Sequence, residues 1–179
     1  MNKDLIKTLL EEDDPTEPTK PMLDHFYKRT GEHISRVQKN MEILANNLEG
    51  IDKEAFEKRA ADHDHTKYDE YEKEYIWLSW WFANNKNDDI YPYPEYKDVI
   101  WKATGGHIHD EKHHPQAWSN VKDMSEIYLA EMVSDWYAMS QELGTDIYDW
   151  MEKNMPKWDF SEEQVERIYD MMEILAGSK

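Results

Sequence analysis

One segment constrains the fold more than any other, Met124 to Gly144, "MSEIYLAEMVSDWYAMSQELG". Ile127, Leu129, Met132, Val133, Trp136 and Met139 recur at helical spacing, and Gly144 supplies a stop. Their apolar face is broad, so this helix is expected to be largely buried among other helices. Asp123, with Glu126 three positions later, is the expected capping box at its start.

The rest of the chain repeats the pattern. Ile34, Val37, Met41, Leu44 and Leu48 form a helical stripe that ends at Gly50, with His33 one residue before it. Asp52 is placed to cap the short helix "KEAFEKRAAD". A further helix is expected over Glu70 to Ala83, and another from Pro94, with Gly105-Gly106 ending or bending it. "NNKNDDIYPYP" reads as a loop. "DIYDWMEKNM" and the Ser161–Gln164 capping box before "VERIYDMMEILAG" close the series. No stretch alternates as a strand does, so the fold class is all-α.

Such a bundle needs a core. With 179 residues, 39% of them hydrophobic and 13% aromatic, the chain can build one despite a mean hydropathy of -0.99. Residues 22–179 are expected to form a single helical domain. Residues 1–21 read as an acidic N-terminal arm or linker: a short amphipathic piece (Leu5, Ile6, Leu9, Leu10), then "EEDDPTEPTKP" with its three prolines. No apolar run is long enough to span a membrane, and no secretory leader is legible, so a cytoplasmic location is expected. Cysteine is absent, which leaves nitrogen and oxygen as the strong metal donors. The formal charge of -18 disfavours duplex nucleic acid as a partner, because few cations are available to displace counterions.

Polar residues interrupt this plan in three places. Asp135 falls in the middle of the most apolar helix, where a carboxylate is costly unless paired or bound to a cation. Its alternative place is an exposed stripe or a pair with an arginine. Six of the eight histidines crowd two windows, His63 and His65 in "ADHDHTKYDEY", then His107, His109, His113 and His114 in "HIHDEKHHP". Imidazole and carboxylate are the usual donors for first-row divalent ions. The second window could equally be a surface loop that picks up stray metal. Trp77, Trp80 and Trp81 could stack a nucleobase but suit a core better; Trp118 and Trp136 could wall a site.

Taken in order, His33, His63-Asp64 and Asp135 resemble the ligand series of the HD superfamily of metal-dependent phosphohydrolases, which are all-helical bundles. The resemblance covers roughly residues 25–140 and implies an HD-domain-like helical bundle with His33, His63, Asp64 and Asp135 as ligands of a first metal. "HDHTK" looks like the form of the motif in which a lysine approaches the substrate phosphate, here Lys67. In two-metal members further histidines hold a second ion and the His-Asp carboxylate bridges. His107 and either His113 or His114 are similar in order to those. His107 and His114 stand only seven positions apart, closer than in familiar two-metal members, so a general-acid or substrate-binding role for either is the alternative. "HHPQAW" and "EMVSDW" look like an uncharacterised branch of the superfamily, a domain of unknown function found in bacteria and phages.

The expectation is therefore a hydrolase that uses one or two divalent ions (Mn, Fe, Zn, Ni, Co or Mg) on a small phosphorylated molecule, a nucleotide first. Lys67 would contact the phosphate, and Arg36, one turn after His33, is a second candidate that suits a surface ion pair better. Two other outcomes stay open: a di-iron oxygenase on the same scaffold, and a non-catalytic interaction protein stapled by metal.

Overall fold

The computed structural model describes residues 14–178. Among them there is no β-strand, and seven α-helices follow one another: α1 (Lys20–Asn47), α2 (Lys53–Ala61), α3 (Glu72–Ala83), α4 (Pro94–Asp110), α5 (Glu126–Leu143), α6 (Ile147–Asn154) and α7 (Glu162–Gly177). The all-α class and the bundle are as expected. The amphipathic piece at Leu5 to Leu10 lies outside the described residues. No described helix is long and apolar enough to cross a membrane.

Local chemistry sets most boundaries. Asp52 caps α2 by accepting from the Ala55 amide at 3.2 Å. Ser161 and Gln164 exchange the two bonds of a capping box at the start of α7. Gly144 ends α5 at φ +64°, a left-handed conformation that costs glycine little.

Four expectations need correction. The first helix begins at Lys20, inside the expected arm, because Pro21 fits a helix's first turn. Residues just before it are also tied down: Trp77 Nε1 donates to the Thr16 carbonyl at 2.8 Å, and Lys73 pairs with Asp14 and Glu17. Asp123 does not cap α5; it ends a short 3₁₀ turn, and Ser125 takes the cap position. Gly105-Gly106 does not end α4, which runs on to Asp110. At Gly106 a Cβ would lie 2.6 Å from the Tyr71 hydroxyl, so a side chain there would require the Tyr71 ring to shift. Finally, the buried face of α1 runs through Phe26, Thr30, His33 and Val37, so His33 is part of the inward stripe and Ile34 flanks it.

Helix α1 packs against α2, α3, α5 and α7, and α5 packs against α1, α2, α6 and α7. Two apolar clusters result. The larger joins Val37, Met41 and Leu44 of α1 to Met132 and Val133 of α5 and Ile168, Met171 and Met172 of α7. The smaller joins Met22 and Phe26 to Ile76, Trp77 and Trp81 of α3 and Ile100 of α4. Each fully buried side chain of this size contributes about 1.5–3 kcal/mol. Along α1 the inward face passes from the smaller cluster at Phe26 to the larger at Val37, and His33 sits at the seam between them.

Candidate metal centre

That seam gathers the polar residues. Helix α1 contributes His33, α4 contributes His107, and α5 contributes Asp135 together with Glu131, one turn earlier on the same face. The turn after α2 contributes His63 and Asp64, both almost wholly buried. Asp64 has φ +59°, which reverses the chain so that both consecutive side chains enter the bundle. A non-glycine residue pays about 1 kcal/mol for that conformation, and aspartate tolerates it better than most. The loop after α4 contributes His113 and His114, and it is pinned by Trp118 Nε1, which donates to the Lys112 carbonyl at 2.8 Å.

Asp64 is the hub. Its Oδ2 lies 3.6 Å from His33 Nε2 and 3.4 Å from His63 Nε2, and next to the Lys67 ammonium. Its Oδ1 lies 3.3 Å from His107 Nε2 and 3.7 Å from His113 Nε2. Asp135 Oδ1 is 3.0 Å from His33 Nε2, and His114 Nε2 is 3.3 Å from His107 Nε2. Burial opposes the charge on Asp64, yet His63 and Lys67 beside it hold its carboxyl well below the usual range. Asp135 is lowered too, against burial, by its bond to His33.

The far side of each imidazole determines what its near side can do. Glu131, fully buried, accepts from His63 Nδ1 at 2.9 Å and faces His113 Nδ1 at 3.2 Å. Burial works against its charge, but the neighbouring His113 and His63 imidazoles hold it at about 2, so it is an acceptor only. His63 Nδ1 therefore carries a proton, while His113 Nδ1 faces the same oxygen at 3.2 Å without a hydrogen bond. His107 Nδ1 carries a proton by a different route. Thr66 Oγ1 donates its one proton to Glu111 Oε1 at 3.1 Å and so must accept from His107 Nδ1 at 2.7 Å. In all three rings Nε2 is the atom that faces Asp64.

The Nε2 atoms and the two oxygens of Asp64 are thus gathered at separations that a shared cation would span. His63 Nε2 and Asp64 Oδ1 are buried atoms without a hydrogen-bond partner. Within His33–His63–Asp64, and again within Asp64–His107–His114, the donor atoms lie within 4.8 Å of one another, the span a single ion bridges. These groups could hold a metal ion. Burial pushes the His114 imidazole down to about 2 and also lowers His107, so both stand in the neutral form that ligates.

Of the residues expected from sequence, His33, His63, Asp64, Lys67, His107, His113, His114 and Asp135 come together. Arg36 turns elsewhere, to Glu142 at 3.7 Å and Glu32 at 3.9 Å. His65 and His109 are exposed. Trp77 and Trp81 are core, while Trp136 and Trp118 pack with the larger apolar cluster. Sequence reasoning missed Glu131, Glu111, Thr66 and Arg59. Arg59 reaches Glu131 at 2.8 Å and Glu111 at 3.3 Å, joining the two carboxylates behind the histidines. One signal for Glu131 was available, since it stands four residues before Asp135 in an otherwise apolar run.

A cavity of about 200 Å³ opens against the edge of this centre, with His33, Lys67 and Asp135 in its wall. No curated protein and no solved structure is significantly similar to the chain. Residues 22–176, which include every residue of the centre, match the family of unknown function DUF5662, and the chain belongs to that family.

Proposed function

We propose that this chain is a metal-dependent phosphohydrolase that cleaves a small phosphorylated molecule, with a nucleotide as the expected class. The observation that carries this reading is the set of imidazole Nε2 atoms converging on both oxygens of Asp64. It supports two divalent ions, one among His33, His63, Asp64 and Asp135, the other among Asp64, His107 and His113 or His114. The order of the first set is the one that resembles the HD superfamily.

Divalent ions so held supply a water of lowered pKa and neutralise charge on phosphoryl oxygens. The chain's own residues do the rest. Asp64 holds the two halves in register through its two oxygens. Glu131 and the Thr66–Glu111 pair keep His63 and His107 in the ligating tautomer. Lys67, at the cavity wall, presents the positive charge that an acidic protein needs to receive a phosphate. In hydrolysis the water oxygen bonds to phosphorus as the ester P–O bond breaks, and the proton leaves with the alcohol. His107 and His114, both neutral, suit ligation better than proton donation.

Metal content and phosphomonoester turnover, measured on wild type, Asp64→Ala and Lys67→Ala, test the reading. It predicts about two equivalents of metal in wild type and in Lys67→Ala, loss of metal in Asp64→Ala, and turnover in wild type alone. A folded wild type that takes up no metal on reconstitution would sink it. Iron at both positions, with an absorbance that changes on reduction, would redirect the assignment to O₂ activation.

A further inference from the structure

The cavity beside the centre has a polar wall and an apolar wall. Lys67, His33 and Asp135 occupy the first, and Phe26, Leu78 and Met139 line the second. Phe82 also lines it and is 46% exposed, which places its ring at the mouth. Ser79 lines it from α3, is 4% exposed, and its hydroxyl has no hydrogen-bond partner. A buried hydroxyl left unpaired costs about 1–3 kcal/mol, so a residue that lines a cavity in that state is placed to meet a ligand atom.

Resting on the phosphohydrolase reading, we infer that this cavity takes the organic group of the substrate: a compact phosphomonoester carrying one apolar ring with a neutral hydrogen-bonding atom. Three observations set the class. The volume, about 200 Å³, is below the roughly 300–1,000 Å³ of pockets for drug-sized ligands, so it admits a single ring. The apolar wall and Phe82 favour a flat or aliphatic group over a sugar chain. Cations are scarce: Lys67 is already beside Asp64, and Arg29, the other cation in the lining, is held by Glu142 at 2.7 Å. A polyphosphate would find two engaged cations and the Asp135 carboxylate. The phosphoryl group therefore sits at the Lys67 wall, the ring lies between Phe26, Leu78 and Phe82, and its polar atom meets Ser79.

Phosphonates, whose C–P bond is not hydrolysed, test this by calorimetry on the Mn²⁺-loaded protein. Benzylphosphonate is expected to bind at least tenfold more tightly than methylphosphonate or tripolyphosphate, and Phe82→Ala to remove most of that margin. A 4-hydroxybenzylphosphonate is expected to gain at least threefold over benzylphosphonate in wild type and nothing in Ser79→Ala. Ser79→Ala should melt at or above the wild-type temperature, because it deletes an unpaired hydroxyl, so a weaker ligand cannot be ascribed to misfolding. Thymidine 5′-phosphonate, which adds a sugar to the base, is expected to bind at least tenfold more weakly than benzylphosphonate; equal or tighter binding would overturn the single-ring assignment in favour of a nucleotide. Equal affinities for benzyl- and methylphosphonate, or variants that leave the margin intact, would overturn this assignment and leave the phosphohydrolase reading standing. If no phosphonate binds the metal-loaded protein, both fall together.

Discussion

Glu131→Gln isolates the group behind the histidines. Glutamine keeps the shape and volume of the fully buried Glu131 side chain, so the packing around Met132 and Val133 stays filled. What changes is the pattern of donors and acceptors. In the wild type the carboxylate accepts from His63 Nδ1 at 2.9 Å and faces His113 Nδ1 at 3.2 Å, with Arg59 at 2.8 Å on its other oxygen. One amide oxygen cannot serve all three, and the amide NH₂ must face either an imidazole N–H or the guanidinium. Charge-assisted bonds are about twice as strong as neutral ones, so losing the charge weakens the surviving contacts as well. Removing such a partner of a ligating histidine lowers metal affinity by about 10–100-fold. At 1.4 kcal/mol per tenfold, that is about 1.4–2.8 kcal/mol. The assay is competition with a chelator of known affinity, for Mn²⁺ and for Zn²⁺, on protein whose helicity matches wild type by circular dichroism. A folded variant with metal affinity within threefold of wild type would refute the claim that Glu131 sets the tautomer of His63.

Other perturbations reach other parts of the centre. Thr66→Val keeps the side-chain shape but removes the acceptor for His107 Nδ1 and the donor to Glu111, so the ion on the His107 side should bind about tenfold more weakly while the other is retained; two-step metal titration separates them. Lys67→Ala should keep fold and metal yet lower phosphomonoester kcat by at least about 100-fold, since it removes a charge aimed at the phosphate; a wild-type rate would strike Lys67 from the mechanism. The metal-free protein should lose stability as pH falls. Glu131 drops from 4.5 to about 2 on folding and His114 from 6.5 to about 2, so below about pH 6.5 the unfolded chain binds more protons than the folded one. Stability then rises with pH from about 2 to 6.5 and levels off above; a melting temperature unchanged between pH 7 and pH 4 would contradict this.

Much of the molecule was legible before any coordinates. The helices of α1, α5 and α7 are written in apolar spacing, and Asp52, Gly144 and the Ser161–Gln164 box mark ends of α2, α5 and α7 through local backbone and side-chain chemistry. The metal-ligating candidates were legible as well, because histidines and a lone carboxylate in apolar surroundings are chemically conspicuous. The misplaced cap at Asp123 and the expected stop at Gly105-Gly106 failed for one reason. Both are short-range signals: Ser125 takes the cap position in the first case, and the helix runs through the glycine pair to Asp110 in the second.

The supporting residues were not legible, and the reason is physical. Glu131, Glu111, Thr66 and Arg59 are ordinary helix and turn residues in their own segments. Each acquires its role from a partner far along the chain: Glu131 lies 68 positions from His63, and Thr66 lies 41 from His107. The sequence by itself determined which side chains can bind a cation and that the chain is helical. Only the tertiary structure decided which nitrogen of each ring points inward, because a tautomer is set by the acceptor behind the ring, and that acceptor arrives only when α2, α4 and α5 have packed.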